Sequence, residues 1–121
     1  MNKQEEIRIK DMLKIAFDAV DEKKGHNIKV LDLEDLTPAA DYFILVTGNS
    51  SSQISAIQDN VYKKLGENGY KPSRVEGVRN STWVLMDYND IIVHIFVEEE
   101  RSFYDLEHIW RDGKVVSIGD L

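Results

Sequence analysis

The sequence predicts an α/β fold: a single mixed β-sheet with helices packed on it, forming one domain over residues 1–121. Three observations carry this. Two long stretches repeat apolar residues at helical spacing. Short runs rich in Val, Ile and aromatic residues lie between and after them. Finally, Thr82–Val97 (TWVLMDYNDIIVHIFV) alternates at the strand period on both sides of Tyr88-Asn89-Asp90, the signature of a hairpin around a tight turn.

The first element is a helix from about Gln4 to Lys23. Ile9, Met12, Leu13, Ala16 and Val20 form its apolar stripe and Gly25 stops it. Asn27–Leu33 alternates as a strand, expected at an edge of the sheet because it is only partly apolar. Thr37 and Pro38 break the pattern. Asp41–Thr47 is a denser apolar run, which predicts a central strand covered on both faces. Gly48–Gln53 turns into a second helix, with Ser50 and Gln53 at capping-box spacing and Ile54, Ile57, Val61 and Leu65 on the buried stripe, ending near Gly66 and Gly69. Tyr70–Asn80 reads as a loop or short strand. After the hairpin, Glu98–Glu100 precede a third helix starting at Arg101-Ser102 with Phe103, Leu106 and Ile109 or Trp110 inward, and Lys114–Ile118 adds a short terminal strand.

The hairpin register follows from its turn. With Asn89 and Asp90 at the tip, Tyr88 faces Ile91, Met86 faces Val93, Leu85 faces His94 and Trp83 faces Phe96. One face then carries Val84, Met86, Tyr88, Ile91, Val93 and Ile95, an almost wholly aliphatic set that belongs in a core. The other carries Trp83, Leu85, Asp87, Ile92, His94 and Phe96. Aromatics mixed with an imidazole and a carboxylate are either capped by another helix or offered to a partner, since interface centres favour aromatics and the polar groups need matched hydrogen bonds.

Composition narrows the function classes. There is no cysteine, so disulfides and thiol chemistry are excluded, and no apolar run approaches the length of a membrane span. The opening MNKQEEIRIK lacks the apolar core of a secretory signal, which makes a cytoplasmic protein the simplest expectation. Fifteen Lys and Arg stand against 22 Asp and Glu, a formal charge of -7. Phosphate-driven affinity needs the opposite sign, so direct nucleic-acid binding is not expected and a basic protein partner is. The strand, glycine turn and helix N-terminus at residues 41–53 form a weak phosphate motif, for they lack both a Walker lysine and the further glycines of a dinucleotide loop. His26, His94 and His108 show no metal-ligand spacing. No catalytic residue, metal or cofactor is expected.

Asp41-Tyr42-Phe43, Thr47-Gly48-Asn49-Ser50, Val75-Glu76-Gly77, Trp83 through Tyr88, Asp90-Ile91-Ile92-Val93-His94, and Arg101 with Phe103-Tyr104-Asp105-Leu106-Glu107 and Trp110 all resemble, in order, the motifs of the ribosomal silencing factor (Iojap) family. One departure is Asn89, where many members carry Gly; Asn is the next-best residue for a positive φ. The resemblance implies a domain related to the nucleotidyltransferase fold without chemistry of its own. It further implies binding to ribosomal protein fourteen of the large subunit, which obstructs joining of the small subunit and represses translation when nutrients are scarce; some members also form homodimers.

On that resemblance the partner-binding residues are expected to be Trp83, with Leu85 and Phe96 beside it as an apolar anchor, and Asp87, Asp90 and His94 as the polar partners of a basic protein. Trp83 as a core residue and His94 as a structural histidine are the plainer readings of the same positions. Two other functions stay open: a metal- and nucleotide-dependent transferase, disfavoured because Asp87 and Asp90 flank a turn and do not alternate along one strand face, and a homodimeric scaffold using the same surface.

Overall fold

A computed structural model describes residues 2–77 and 81–121. The residues 78–80 that end the loop expected over Tyr70–Asn80 lie outside the described residues. Helix α1 (Lys3–Glu22) opens with Asn2 as its N-cap, whose side chain accepts from the Glu5 amide. It is followed by β1 (His26–Asp32), β2 (Tyr42–Thr47), α2 (Ser51–Glu67), β3 (Arg74–Glu76), β4 (Trp83–Asp87), β5 (Ile91–Phe96), α3 (Glu98–Tyr104), α4 (Leu106–Ile109) and β6 (Lys114–Val116). The six strands form one mixed sheet in the order β3-β4-β5-β2-β1-β6, in which only β2 and β5 are parallel. This is the α/β architecture the sequence predicts.

The parallel pair sits at the centre, and every residue of β2 and β5 is buried, as two-sided cover requires. Helices α1 and α2 pack together on one face. The predicted stripes Ile9, Met12, Leu13, Ala16 and Val20 of α1 and Ile54, Ile57, Val61 and Leu65 of α2 close over Ile44, Val46, Val84, Met86, Ile91, Val93 and Ile95. The buried Asn60 amide donates to the Ala19 carbonyl at 2.8 Å and ties the two helices together.

Three expectations are corrected. β1 is not an edge strand: β6 pairs with it at Val30, Leu31 and Asp32, so the edges are the three-residue β3 and β6. The third helix begins at Glu98, so the three glutamates form its first turn and complement the dipole of an end that has no side-chain cap. That helix also breaks at Asp105, which takes a left-handed φ of 47° and then caps α4 by accepting from the His108 amide. Asp tolerates this conformation better than most residues because its short carboxylate bonds nearby backbone. The Ser50 cap on α2 is present, but Gln53 does not complete the reciprocal box. Its oxygen accepts from the Asn49 amide and its nitrogen donates to the Lys23 and Lys24 carbonyls, fastening the end of α1 to the start of α2.

Candidate functional site

The hairpin has the predicted register, with Trp83 opposite Phe96, Leu85 opposite His94 and Met86 opposite Val93. At its tip Asn89 takes a φ of 72°, and the Tyr88 amide donates to the Ile91 carbonyl. The mixed side of the hairpin belongs to the second face of the sheet. There Leu31, Leu33, Ala40, Phe43, Leu45, Ile92 and Phe96 form a smaller apolar cluster, with Trp83, Leu85, Leu106 and Trp110 half-buried against it. Among the described residues this face is covered by the β1–β2 connection, through Leu33 and Ala40, and by the short α3–α4 segment, through Leu106 and Trp110 at its end.

The six predicted site residues separate in depth and position. Phe96 is fully enclosed and His94 is 4% exposed, so neither offers its side chain to an outside molecule. Trp83 and Leu85 are half-buried above them. Asp87 accepts from the Asn89 amide at 2.8 Å and lies 3.7 Å from Arg74. Asp90, at the tip, is paired at 2.7 Å with Arg8 of α1. The assignment of His94 and Phe96 as direct contacts is therefore corrected: the period-2 pattern places them on the right face, but α3 and α4 lie over them.

Trp83 is neither sealed in nor free. Its indole Nε1–H donates to Nδ1 of His94 at 3.2 Å, and its ring lies 4.7 Å from Tyr104 and 5.7 Å from Phe96, centroid to centroid. Gly77 runs against its backbone, where a Cβ would lie only 2.3 Å from the Trp83 carbonyl oxygen; only glycine fits there, and its φ of +81° needs glycine as well. Because Nδ1 accepts, His94 carries its proton on Nε2, and that N–H has no partner among the described residues. Burying an unpaired donor costs about 1–3 kcal/mol. The same burial pushes the imidazole down from its ordinary 6.5 to about 4, keeping it neutral.

What fixes α3 and α4 to the sheet is a buried guanidinium. Arg101 donates from Nη1 to the Asn27 carbonyl at 2.6 Å and to Thr47 Oγ1 at 2.9 Å, from Nε to Glu107 Oε1 at 2.8 Å, and sits 5.7 Å above the Phe96 ring. Glu107 in turn accepts from Lys29 of β1 at 2.8 Å. Hydrogen bonds from Arg101 chiefly, and from Lys29, hold the Glu107 carboxyl well below its ordinary value, at about 2, against the opposing effect of burial. With the underside held in this way, Phe103 points outward at 81% exposure, beside half-exposed Tyr104 and the carboxylates of Glu99 and Glu100. The pattern reading placed Phe103 inward and did not single out Arg101. Adjacent positions on a helix lie about 100° apart, close enough for both to be buried, as Met12 and Leu13 are on α1, so spacing alone does not mark Phe103 as outward. Arg101 and Glu107, six apart across a broken helix, match no local pairing rule.

Comparison with known proteins bears on this surface. Residues 6–121 match the family described as "Ribosomal silencing factor during starvation". The chain belongs to the ribosomal silencing factor (Iojap) family. It is 39% identical to the ribosomal silencing factor RsfS of Bacillus subtilis over 109 residues, covering 90% of this chain and 92% of the relative. It is 30% identical to the chloroplastic protein Iojap of Zea mays, over 83% of this chain and 43% of that longer one. A crystal structure from Chromobacterium violaceum superposes with a TM-score of 0.83 at 35% identity, covering 90% of each chain. Members of this family silence ribosomes and repress translation without catalysing a reaction, so the uncovered rim of the second face is considered as a binding surface and not as an active site.

Proposed function

We propose that this protein binds ribosomal protein fourteen of the large subunit through the rim formed by β4 and α3, and so keeps the small subunit from joining. The observation that carries the reading is the pairing of exposed aromatic with acid: Phe103 and Tyr104 stand beside Glu99 and Glu100, and half-buried Trp83 continues the aromatic surface from Tyr104, on a chain of formal charge -7. Desolvated aromatic anchors supply most of the energy of a protein interface, and a carboxylate border steers a basic partner onto them. An interface of ordinary size buries roughly 1,600 Å² in total, and a body of this size seated on the joining surface excludes the other subunit by volume alone. Asp87 lies on the same side of the hairpin, at the far end of β4 and 3.7 Å from Arg74, while Asp90 is engaged with Arg8. His94 and Phe96 support the surface from below. In a bacterial cell this reading requires the cytoplasm.

The test is sedimentation of the purified protein with isolated large and small subunits. Co-migration with the large subunit, lost as salt is raised and lost when Phe103 and Trp83 are both changed to alanine, is the expected result. Migration with the small subunit alone, or with neither, overturns it. Light scattering of the same variants separates docking from self-association: a dimer that dissociates on Trp83→Ala while ribosome binding persists would assign this rim to a second copy of the chain.

A further inference from the structure

Resting on that docking surface, we propose that His94 is a positioning residue for partner binding: its Nδ1 holds the Trp83 indole in the orientation that the partner meets. Among the described residues, three rings lie against the indole, those of His94, Phe96 and Tyr104. Tyr104 and Phe96 pack on its ring, contacts that tolerate sliding and tilting, whereas the 3.2 Å bond from Nε1 to His94 is directional. His94 is itself fixed, with its ring 4.8 Å from Phe43 in an edge-to-face arrangement and stacked 6.2 Å from Phe96. The anchor is therefore oriented before any partner arrives.

The other imidazole nitrogen makes the argument specific. Nε2–H is buried without a partner among the described residues, on a strand where the flanking same-face residues, Ile92 and Phe96, are hydrocarbon. A leucine here would fill similar space and leave no donor stranded. For stability alone histidine is a poor choice, and what it supplies that leucine does not is the acceptor under Trp83. Local choices that cost stability mark sites where another requirement is met. An anchor already held in place loses less rotational freedom on binding, which is worth roughly three- to tenfold in affinity.

Two variants and a control test this. His94→Leu removes the acceptor and keeps the bulk; His94→Asn places an amide oxygen near the former Nδ1 but leaves a gap. The readouts are melting temperature, the indole N–H resonance of Trp83 (told from Trp110 by Trp110→Phe), and affinity for isolated large subunits. The leucine variant should melt at or above wild type, show a shifted indole resonance and bind roughly three- to tenfold more weakly, while the asparagine variant should melt lower and bind within about twofold of wild type. Stability and affinity thus rank the two variants in opposite orders. If both properties fall together, if His94→Leu melts well below wild type, or if it binds as wild type does, His94 is only packing and the proposal falls. Should Trp83→Ala itself bind normally, the docking surface is misplaced, a failure distinct from that of the histidine.

Discussion

The two faces of one sheet are built on different physics. Under α1 and α2 the strands contribute Ile44, Val46, Val84, Met86, Val93 and Ile95, aliphatic groups in a thick core where the buried Asn60 amide is hydrogen-bonded between the helices and the buried Tyr88 hydroxyl has no partner among the described residues. Under α3 and α4 the same strands contribute Phe43, His94, Phe96 and Thr47, and the cover is held down by Arg101 and Glu107 as much as by hydrocarbon. The first face is optimised to stay shut. The second combines a dry floor with an aromatic rim and polar fastenings, so that part of it remains available. A strand that alternates at period 2 can serve both ends at once because neighbouring side chains never share a face.

Substitutions on each face should separate these roles. Leu13→Ala, which opens a cavity in the first face, should lower the free energy of unfolding by about 3 kcal/mol in denaturant titration yet leave large-subunit affinity unchanged in the folded protein. A loss of affinity at equal foldedness would mean that the faces are coupled. Glu107→Gln leaves the Arg101 charge without its carboxylate and should cost about 2 kcal/mol; unlike Leu13→Ala it should also weaken binding, because α3 carries Phe103 and Tyr104.

Acid should act on the second face. His94 is held neutral, with its folded value at about 4 against 6.5 when free, so there is no protonation penalty above about pH 6.5, and the folded state is progressively penalised as pH falls from there toward 4. Glu107 is held ionised, with a folded value of about 2 against 4.5, so its contribution is lost between about pH 4.5 and 2. Unfolding free energy measured across pH should therefore show two successive losses, each with a slope of at most about 1.4 kcal/mol per pH unit. The upper one should vanish in His94→Leu and the lower one in Glu107→Gln; persistence of either in its variant would remove that group as the cause. The smallest effect on stability belongs to Phe103→Ala, within about 0.5 kcal/mol because the ring is exposed, although it should weaken large-subunit binding about tenfold. Unchanged binding there would exclude α3 from the interface.

Much of this was legible before any coordinates. The stripes of α1 and α2, the hairpin register and the aliphatic face of β4 and β5 follow from periodicity and from one turn at Asn89, which are local matters. β1 reads as an edge in the sequence because its outer neighbour β6 arrives some 80 residues later along the chain, with only three paired positions and no strong pattern of its own. The candidate site was half visible. Alternation placed Trp83, Leu85, His94 and Phe96 on one face, but depth depends on what lies over them, and the covering segment α3–α4 is fastened by contacts to Asn27, Lys29 and Thr47.

The sequence by itself determined which residues share a face, where the chain turns, and the acidic charge that any partner must match, because each depends on near neighbours or on a simple sum. The tertiary structure alone decided which of those residues stay reachable. Exposure is set by the segment that folds back across the sheet, and Arg101 holds that segment through groups drawn from three separate stretches of the chain, a convergence that no spacing rule contains.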